Sequence, residues 1–464
     1  MRKTVFFIGI GGIGMSALAR WYAARGASVA GYDRNPSDLT RALESEHIRV
    51  AYGEQGVAAA KQLTGEAEKN GQIPLVIRTP AVSEEHAVCQ FFQERDIPLL
   101  KRSEVLGALT KNRPTLAVAG THGKTTTSAL LAHMLSYAGL ACDAFLGGLL
   151  EPFGTRESAT NMLLDPSGAK APWTVVEADE FDRSFLTLHP KAAVITSADA
   201  DHLDVYGDTG ALHDAFRQFA KQVESGGLIL HCDAASSLNI QGPTYGWALP
   251  GANEPTFSIH DFCVKNGRSH FRITLPNGPV EIDSTLPGRH NAENTQAAAL
   301  LAEIAGANRD QIRKAMRCFP GVHRRFQIHT LGNGKTLVSD YAHHPVELQR
   351  VIEAAREQFS GQKIAGIFQP HLYSRTKDFA REFGEALSKL DRCWVAPIFP
   401  AREAPIPGVD SHLILENIKG IPAETSDVST FLSFLEPASI DVILVLGAGD
   451  IDRLIPDLIS RLEA

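Results

Sequence analysis

The sequence predicts an α/β fold divided into three domains. Three observations support this prediction: the length of 464 residues, the alternation of short apolar runs with helix-like stretches, and the polar or glycine-bearing turns that follow those runs. A chain this long exceeds what one hydrophobic core usually serves. Alternating strand and helix patterns are typical of parallel βα units that carry helices on both faces of the sheet.

The first series of βα units lies at the N-terminus. Strands are predicted over residues 4–10, 28–32 and 75–79, each leading into a polar or glycine-bearing turn. The stretch Gly9-Ile-Gly-Gly-Ile-Gly14 matches G-x-G-x-x-G between the first strand and a helix-like segment. Glycines at these positions would let the backbone approach a pyrophosphate at the positive end of that helix. We therefore predict a Rossmann-like domain over residues 1–107.

This first domain is expected to bind a dinucleotide or a nucleotide diphosphate. Asp33 closes the second predicted strand, at the spacing where a carboxylate accepts from a ribose hydroxyl, and Thr79 ends the third. A tight βα turn without a ligand is the alternative interpretation. The candidate substrate-binding residues in this domain are Gly9, Gly11, Gly12, Gly14, Asp33 and Thr79.

A second glycine loop follows a predicted strand at residues 115–119. It reads Gly120-Thr-His-Gly-Lys-Thr-Thr126 and departs from the phosphate-loop pattern G-x-x-x-x-G-K-[ST], because Val118 stands where the first glycine is expected. Lys124 offers a positive charge to the terminal phosphates of a nucleotide, and Thr125 offers a hydroxyl to Mg²⁺. The last threonine of the motif is expected to cap the helix that follows.

The second domain is predicted over residues 108–320 as a P-loop ATPase-like α/β domain. Further strands are predicted over residues 173–176, 192–195 and 227–231. Between residues 251 and 285 the pattern changes to short alternating segments, which indicate a small antiparallel patch.

The acidic stretch Val176-Glu-Ala-Asp-Glu-Phe-Asp182 offers the oxygen ligands that Mg²⁺ prefers. Glu177 ends a predicted strand, where phosphate-loop enzymes place an acidic metal ligand. Acids packed this densely would repel one another unless a cation lay nearby. His202, flanked by acids after the next strand, is a candidate second ligand, so the predicted metal ligands are Thr125, Glu177 and His202. An exposed acidic turn and a structural histidine are the alternatives.

A third series of strands, over residues 336–339, 364–368, 392–395 and 442–446, predicts a second Rossmann-like domain over residues 321–464. The first two of these strands run into Ser339-Asp-Tyr-Ala-His-His-Pro345 and Phe368-Gln-Pro-His-Leu-Tyr-Ser-Arg-Thr376. Both ends would project from one edge of a parallel sheet, where such sheets bind ligands. Their histidines and arginine could hold a carboxylate or an amine. The Arg324-Arg325 pair could reach nucleotide phosphates or could be solvated linker charge.

Composition limits the class of function. A formal net charge of −8 argues against a broad nucleic-acid interface, which needs basic residues to neutralise phosphates. The six cysteines lie far apart and favour reduced thiols in the cytosol over a disulfide scaffold or zinc site. The sequence predicts neither a leader-like segment nor an apolar run long enough to span a membrane. We therefore expect a cytoplasmic protein with small-molecule partners, either monomeric or homodimeric.

Taken together, these motifs resemble the Mur ligases of peptidoglycan synthesis, in order and over essentially the whole chain. The resemblance is carried by residues 120–126, 177–180, 201–202, 290–294 and 340–345 and is narrowed by residues 9–15, 368–378 and 404–410. It implies an ATP- and Mg²⁺-dependent ligase that joins L-alanine to UDP-N-acetylmuramate through an acyl phosphate. The recycling ligase that attaches an intact tripeptide to the same sugar nucleotide is the alternative.

The resemblance also implies roles for individual residues. The first glycine loop would hold the uridine diphosphate, and His202 would bind a second Mg²⁺. The catalytic residues would be Lys124, His202, His343 and Arg375. The ATP site would comprise Gly120, Thr121, His122, Gly123, Lys124, Thr125, Thr126, His290, Asn294, Arg325 and Asp340. Beside the first loop, the substrate site would comprise His122, Tyr341, His343, His344, His371 and Arg375.

Two positions depart from the family pattern, and two other classes of protein compete with the ligase interpretation. Ser197 stands where many relatives carry asparagine, and Leu372 where many carry arginine, which leaves Arg375 as the better carboxylate anchor. A nucleotide-sugar-binding or regulatory protein that kept the fold and lost the chemistry would not need Lys124, Thr125, Glu177 and His202, which are all present. The interpretation of the chain as an NAD-dependent dehydrogenase rests on the first glycine loop alone.

Overall fold

The computed structural model describes residues 3–152, 158–169, 172–201, 203–247, 255–401, 403–425 and 440–463. These residues form an α/β structure with sheets of five, ten and six strands, which confirms the predicted fold class. The chain is organised as two compact units. The first unit comprises Met1–Ile259, Ile273–Val280 and Glu293–Met316, and the second comprises His260–Arg272, Glu281–Ala292 and Arg317–Ala464.

The five-stranded sheet is parallel throughout, in the order β3-β2-β1-β4-β5. Its strands are β1 (Thr4–Ile8), β2 (Ser28–Asp33), β3 (Arg49–Tyr52), β4 (Leu75–Arg78) and β5 (Leu99–Lys101). The helices of this region are α1 (Ile13–Ala24), α2 (Asp38–Ser45), α3 (Gly56–Lys69), α4 (Ala87–Gln93) and α5 (Arg102–Thr110). The strand order reverses between β1 and β4, and such a point opens a crevice for ligands at the carboxyl ends of the strands.

Strand β1 is a continuous apolar run because both faces of its sheet are covered. Val5 and Phe7 pack into one core cluster, while Phe6 and Ile8 pack into another. All four side chains are fully buried. Successive side chains of a strand point to opposite faces, so only an uninterrupted apolar sequence fills two cores. The strand ends at Ile8, two residues before the predicted end.

The ten-stranded sheet has the order β15-β14-β13-β12-β11-β10-β6-β9-β7-β8. Its strands are β6 (Thr115–Ala119), β7 (Cys142–Leu150), β8 (Thr160–Leu163), β9 (Trp173–Ala178), β10 (Ala192–Ile195), β11 (Leu228–His231), β12 (Thr244–Gly246), β13 (Phe257–Lys265), β14 (Arg268–Leu275) and β15 (Gly278–Ser284). The accompanying helices are α6 (Lys124–Tyr137), α7 (Leu203–Tyr206), α8 (Thr209–Gln222), α9 (Cys232–Leu238), α10 (Arg289–Ile304) and α11 (Arg309–Arg317). Strand β6 has parallel neighbours on both sides, β9 and β10.

The ten-stranded sheet contains two hairpins, of which the sequence predicted one. Neighbouring strands β13 and β14 are joined by Asn266 and Gly267, both at positive φ (52° and 72°), which is typical of a tight antiparallel hairpin. The predicted antiparallel patch is therefore present, and its first residues, 251–254, lie outside the described chain. The antiparallel pair β7–β8 was not predicted, because Gly147 and Gly148 interrupt its apolar pattern.

The six-stranded sheet has the order β16-β17-β21-β18-β19-β20, with only its edge pair β16–β17 antiparallel among the described pairs. Its strands are β16 (Gln327–Thr330), β17 (Thr336–Asp340), β18 (Ile364–Phe368), β19 (Arg392–Val395), β20 (Ala423–Thr425) and β21 (Val442–Leu446). Its helices are α12 (Pro345–Gln358), α13 (Tyr373–Leu387), α14 (His412–Leu415) and α15 (Ile455–Glu463). Single 3₁₀ turns occupy Gly53–Gln55, Ser184–Thr187 and Ile451–Leu454.

Two further properties of the described residues bear on the class of protein. None of the described helices is both long and apolar enough to cross a bilayer. The six cysteines are free thiols, three of them buried.

The turn after β1 depends on the absence of a side chain at Gly31, in β2. A Cβ added there would lie 2.7 Å from the Phe7 carbonyl oxygen and 2.7 Å from Ile10 Cδ1. We expect Gly31→Ala to lower the free energy of unfolding by about 1–3 kcal/mol through overpacking. Urea unfolding measures this change.

Gly65→Ala is the matched control. Gly65 lies inside α3 with open space around its Cα, so alanine there should stabilise the chain by about 0.5–1 kcal/mol. Equal effects of the two substitutions would contradict the packing described for β2.

Candidate functional site

The first glycine loop connects β1 to α1, and Asp33 holds it. The N–H of Gly11 donates to Asp33 Oδ2 over 2.7 Å, and a Cβ added to Gly11 would lie only 2.8 Å from that oxygen. Gly9 has φ +83°, a conformation that a side chain disfavours. Asp33 therefore holds the backbone of the first glycine loop in place and also lies beside the loop.

Gly9 and Gly14 are in close contact with side chains at the carboxyl edge of the sheet. A Cβ on Gly9 would lie 2.3 Å from Thr79 Cγ2, and one on Gly14 would lie 2.3 Å from Arg102 Nη1. Sequence reasoning missed Arg102. The sequence feature that could have identified Arg102 is its position directly after the short strand β5, at the ligand-binding edge of the sheet.

One cavity, of about 320 Å³, connects this loop with the neighbouring ten-stranded sheet. Its walls on one side include Gly12, Thr79 and Arg102, and on the other Glu177 and Asp179. The structure thus brings the first glycine loop and the predicted acidic metal ligand to the same cavity within the first unit. A ligand with a pyrophosphate at one end could place its other end near the acids.

The second glycine loop follows β6 and leads directly into α6. Gly120 and Gly123 have φ +124° and +81°, and a Cβ on either would lie within 2.5 Å of Thr196 Oγ1 or Asn294 Oδ1, respectively. Gly123 is the N-cap of α6. A glycine cap has no side chain to bond the first N–H groups of a helix, which can then face an anion. Thr126 lies inside the first turn, so the prediction that it caps α6 is wrong.

Lys124, the first residue of α6, is paired with a buried carboxylate. Its Nζ donates to both oxygens of Glu180, over 2.9 and 2.8 Å, and to the Gly120 carbonyl over 2.7 Å. Burial opposes the charge of Lys124, but the carboxylates of Glu180 and Asp179 raise its pKa. Burial raises the pKa of Glu180 to about 7, against the opposing effect of Lys124. The positive charge expected beside the acidic stretch is thus supplied by Lys124, which belongs to the second glycine loop (the phosphate loop).

The oxygen atoms around Thr125 fit a hard divalent cation. Thr125 Oγ1 donates to Glu177 Oε1 over 3.0 Å, and Glu177 Oε2 accepts from the Gly147 N–H over 3.0 Å. A hydroxyl and a carboxylate at the end of a phosphate loop are ligands that Mg²⁺ prefers. Thr125 and Glu177 are therefore brought together as predicted. His202, the other predicted ligand, lies outside the described residues.

Ser197, which departs from the family pattern, lies two residues after β10 and supports the second glycine loop. Its Oγ accepts from the His122 N–H over 2.9 Å, and its carbonyl accepts from the Thr121 N–H over 3.3 Å. Thr121 Oγ1 in turn donates to the Asp199 carbonyl over 2.9 Å. A serine at this position is thus compatible with an ordered loop. Asn294, in α10, accepts from Thr127 Oγ1 over 3.2 Å and so lies against the same loop.

In the second unit, Asp340 ends β17 as a buried carboxyl. Its oxygens accept from the N–H groups of Phe326 and Ala342, each over 2.7 Å. Burial raises the pKa of Asp340 to about 6, and the charge of Arg325 partly offsets this effect. The guanidinium carbons of Arg325 and Arg324 lie 5.2 and 4.9 Å from the centre of the Tyr341 ring.

Two of the basic residues singled out in the sequence, Arg324 and His344, form contacts that stabilise the fold. Arg324 is engaged by the loop after β21, donating to the Gly449 carbonyl over 3.2 Å and lying 3.1 Å from Asp452. His344 caps α12 through its Nδ1, which accepts from the Val346 N–H over 3.4 Å, and is buried. Both residues therefore serve the fold.

His343 and His371 are brought together at the edge of the six-stranded sheet. Their ring centres lie 5.8 Å apart, and His371 also stacks on Phe399. Leu372, the second departure from the family pattern, is buried at φ +71°, its N–H bonded to the Phe399 carbonyl over 3.0 Å. Arg375 follows in the first turn of α13 and is 7 % exposed. His290 packs against Gly288 at the start of α10.

Gly147 provides a direct test of the Glu177 position. A Cβ added there would lie 2.4 Å from each carboxylate oxygen of Glu177, at a backbone conformation that alanine can adopt. If Glu177 holds Mg²⁺, its displacement should raise the Mg²⁺ concentration needed for half-maximal binding of a fluorescent ATP analogue by about tenfold or more. Gly332→Ala, which meets nothing within 4 Å, is the control. An unchanged Mg²⁺ requirement in Gly147→Ala would remove Glu177 from the metal site.

Comparison with known proteins places this geometry in a family. Three family models match the chain in succession: "Mur ligase family, catalytic domain" over residues 4–114, "Mur ligase middle domain" over residues 118–302, and "Mur ligase, glutamate ligase domain" over residues 324–449.

Similar curated proteins and solved structures agree with these matches. The proteins named UDP-N-acetylmuramate–L-alanine ligase from Cytophaga hutchinsonii and Porphyromonas gingivalis are each 41% identical to this chain. The alignments cover 97% and 98% of the chain and 95% and 97% of the relatives. A crystal structure of UDP-N-acetylmuramate–alanine ligase from Thermotoga maritima superposes with a TM-score of 0.80 at 25% identity, covering 99% of both chains. This chain belongs to the Mur ligase family.

Proposed function

We propose that the protein joins L-alanine to UDP-N-acetylmuramate, with conversion of ATP to ADP and phosphate. The observation that carries this proposal is the 41% identity, over 97% of the chain, to a relative named for that activity. The geometry supports it, because the first glycine loop and the acids Glu177 and Asp179 line one cavity, and Glu177 bonds Thr125 at the end of the second glycine loop.

The sugar nucleotide would be held by the first glycine loop. N–H groups at the start of α1 and the Arg102 guanidinium offer positive charge to the pyrophosphate. Thr79 and Asp33 flank the loop and would contact the remainder of the nucleotide. The muramyl carboxylate would then extend through the cavity toward Glu177 and Asp179.

ATP would be held by the second glycine loop and the N-terminus of α6. Lys124 would bind the terminal phosphates, in competition with its present partner Glu180. Thr125, Glu177 and His202 would hold Mg²⁺, which supplies positive charge that offsets the repulsion between phosphate and carboxylate. Residues His290, Asn294, Arg325 and Asp340 would complete the nucleotide site.

The proposed chemistry converts a poor electrophile into a good one. A carboxylate oxygen of the muramyl group attacks the γ-phosphorus, the bond to ADP breaks, and an acyl phosphate forms. The neutral amine of alanine then attacks the acyl carbon, inorganic phosphate leaves, and the nitrogen loses a proton. Lys124 stabilises charge during phosphoryl transfer, and much of the remaining rate enhancement comes from positioning.

The acceptor would bind at the edge of the six-stranded sheet. Arg375 offers a bidentate anchor for the alanine carboxylate. His343, His371 and Tyr341 would lie around the alanine amine, and His344, whose Nδ1 caps α12, would line the same site. We also propose domain boundaries near residues 107 and 320. The ranges matched by the three family models end and begin close to these positions. We also propose a cytoplasmic enzyme, because the reaction consumes ATP.

The recycling ligase remains the second candidate because its fold is the same. A murein peptide ligase from Psychrobacter arcticus superposes with a TM-score of 0.68 at 19% identity, which shows shared fold alone. Phosphate release from ATP, with UDP-N-acetylmuramate and single acceptors, separates the two. Release driven by L-alanine supports our proposal, and release driven only by the tripeptide would replace it.

Lys124→Ala should lower kcat by about a hundredfold or more, because removing a charge from the transferring phosphoryl group raises the barrier. ADP formation with both substrates present measures it. The exposed Lys61 in α3 provides the control Lys61→Ala, which should match the wild type. Wild-type turnover in Lys124→Ala would refute the assigned role.

Arg375→Ala should raise the KM for alanine about tenfold or more while leaving the KM for ATP nearly unchanged, because only the acceptor loses a charged hydrogen bond. Arg381→Ala, on the exposed side of the same helix, is the control. An unchanged alanine KM would exclude Arg375 from the acceptor site.

A further inference from the structure

We infer that two buried polar side chains of the β7–β8 hairpin, Asp143 and Asn161, hold helix α1 in register for phosphoryl transfer. We call these two residues the α1 clamp. The inference rests on the proposed function, and it concerns positioning: neither residue would touch the reacting atoms.

Asn161 holds the N-terminal half of α1, beside the first glycine loop. Its Oδ1 accepts from Arg20 Nη1 over 2.5 Å, and its Nδ2 donates to Ser16 Oγ over 2.9 Å and to the Ile13 carbonyl. Arg20 also forms a two-pronged ion pair with Glu46 at the end of α2. Asn161 is fully buried, so each of these bonds would be costly to lose.

Asp143 holds the opposite end of the same helix. Its Oδ2 accepts from Trp21 Nε1 of α1 over 3.1 Å and pairs with Arg25, the residue that caps the C-terminus of α1, while Arg113 Nη1 lies 2.7 Å away. Its Oδ1 accepts from the Asp165 N–H over 2.9 Å. Asp143 is also fully buried, and a buried carboxylate with this many donors fixes the geometry of all of them.

Apolar packing fills the space between the two polar contacts. Trp21 lies 6.4 Å from Phe145 between ring centres, and Met162 of β8 belongs to the same core cluster as Leu18 and Trp21. Helix α1 is therefore fixed on the β7–β8 hairpin at both ends and along its length.

The same strand that holds α1 also holds the proposed metal ligand. Asp143 and Gly147 are four residues apart on β7, about 13 Å along a strand. The Gly147 N–H bonds the Glu177 carboxylate. Strand β7 therefore links the loop that would bind the sugar nucleotide to the acid beside the phosphate loop. A displacement of about 1 Å between reacting groups can cost about a hundredfold in rate.

Two roles of the α1 clamp can be distinguished by experiment: a role in stability alone, and a role in positioning substrates. If the clamp positions α1, Asn161→Ala should lower kcat by about tenfold or more at temperatures well below its unfolding midpoint. The dissociation constants of UDP-N-acetylmuramate and ATP, measured separately by calorimetry, should stay within about threefold of wild type. A purely structural role would lower the melting temperature and leave kcat unchanged.

The experiment therefore compares kcat, both dissociation constants and the melting temperature of wild type and Asn161→Ala. Arg49→Ala is the matched control, because it breaks an ion pair with Glu66 that lies away from the clamp; it should leave kcat unchanged. Trp21→Phe removes one hydrogen bond from Asp143 and replaces the indole by a smaller aromatic ring, and it decides the question if Asn161→Ala does not fold. We expect it to lower kcat about threefold with both affinities retained.

A wild-type kcat in Asn161→Ala, or in Trp21→Phe where the first variant does not fold, would overturn the clamp. Absence of alanine-dependent phosphate release from the wild type would instead refute the proposed function, so the two failures are distinguishable.

Discussion

The electrostatic pairing of Lys124 with the acidic residues after β9 is the constraint on which the site depends. One ammonium group at the start of α6 lies against Glu180, while the adjacent Thr125 bonds Glu177. Acids this close tolerate burial only beside compensating positive charge. A phosphate that replaces Glu180 on Lys124 would bring further negative charge, and an added cation would balance it. The charges already in the fold thus support the proposed requirement for Mg²⁺.

Sheet topology brings the other elements to this pairing. In the first unit, the carboxyl ends of β1 and β4 carry the first glycine loop and Thr79, and those of β6 and β9 carry the phosphate loop and Glu177. Parallel strands place such loops at one edge. In the second unit, β17 and β18 place Asp340 and His371 at the edge of their own sheet. Three sheets can in this way supply the separate binding sites that three reactants need.

Much of this arrangement could be predicted from the sequence, because glycine loops and apolar strands are local patterns. The contact of Thr125 with Glu177 followed from such patterns. The pairing of Lys124 with Glu180 spans 56 residues, so no local spacing reveals it. Arg102 carries no motif, and the capping by His344 depends on where α12 begins. The β7–β8 hairpin was missed because Gly147, which makes room for Glu177, and the adjacent Gly148 weaken the strand signal.

The transfer of a phosphoryl group to the sugar-nucleotide carboxylate is the central claim, and an isotope experiment tests it most directly. UDP-N-acetylmuramate labelled with ¹⁸O in its carboxylate would be converted in the presence of ATP and L-alanine, and the released phosphate analysed by ³¹P NMR. Passage through an acyl phosphate places one carboxylate oxygen on phosphorus, so the phosphate should carry ¹⁸O. Product formation with unlabelled phosphate would contradict this account.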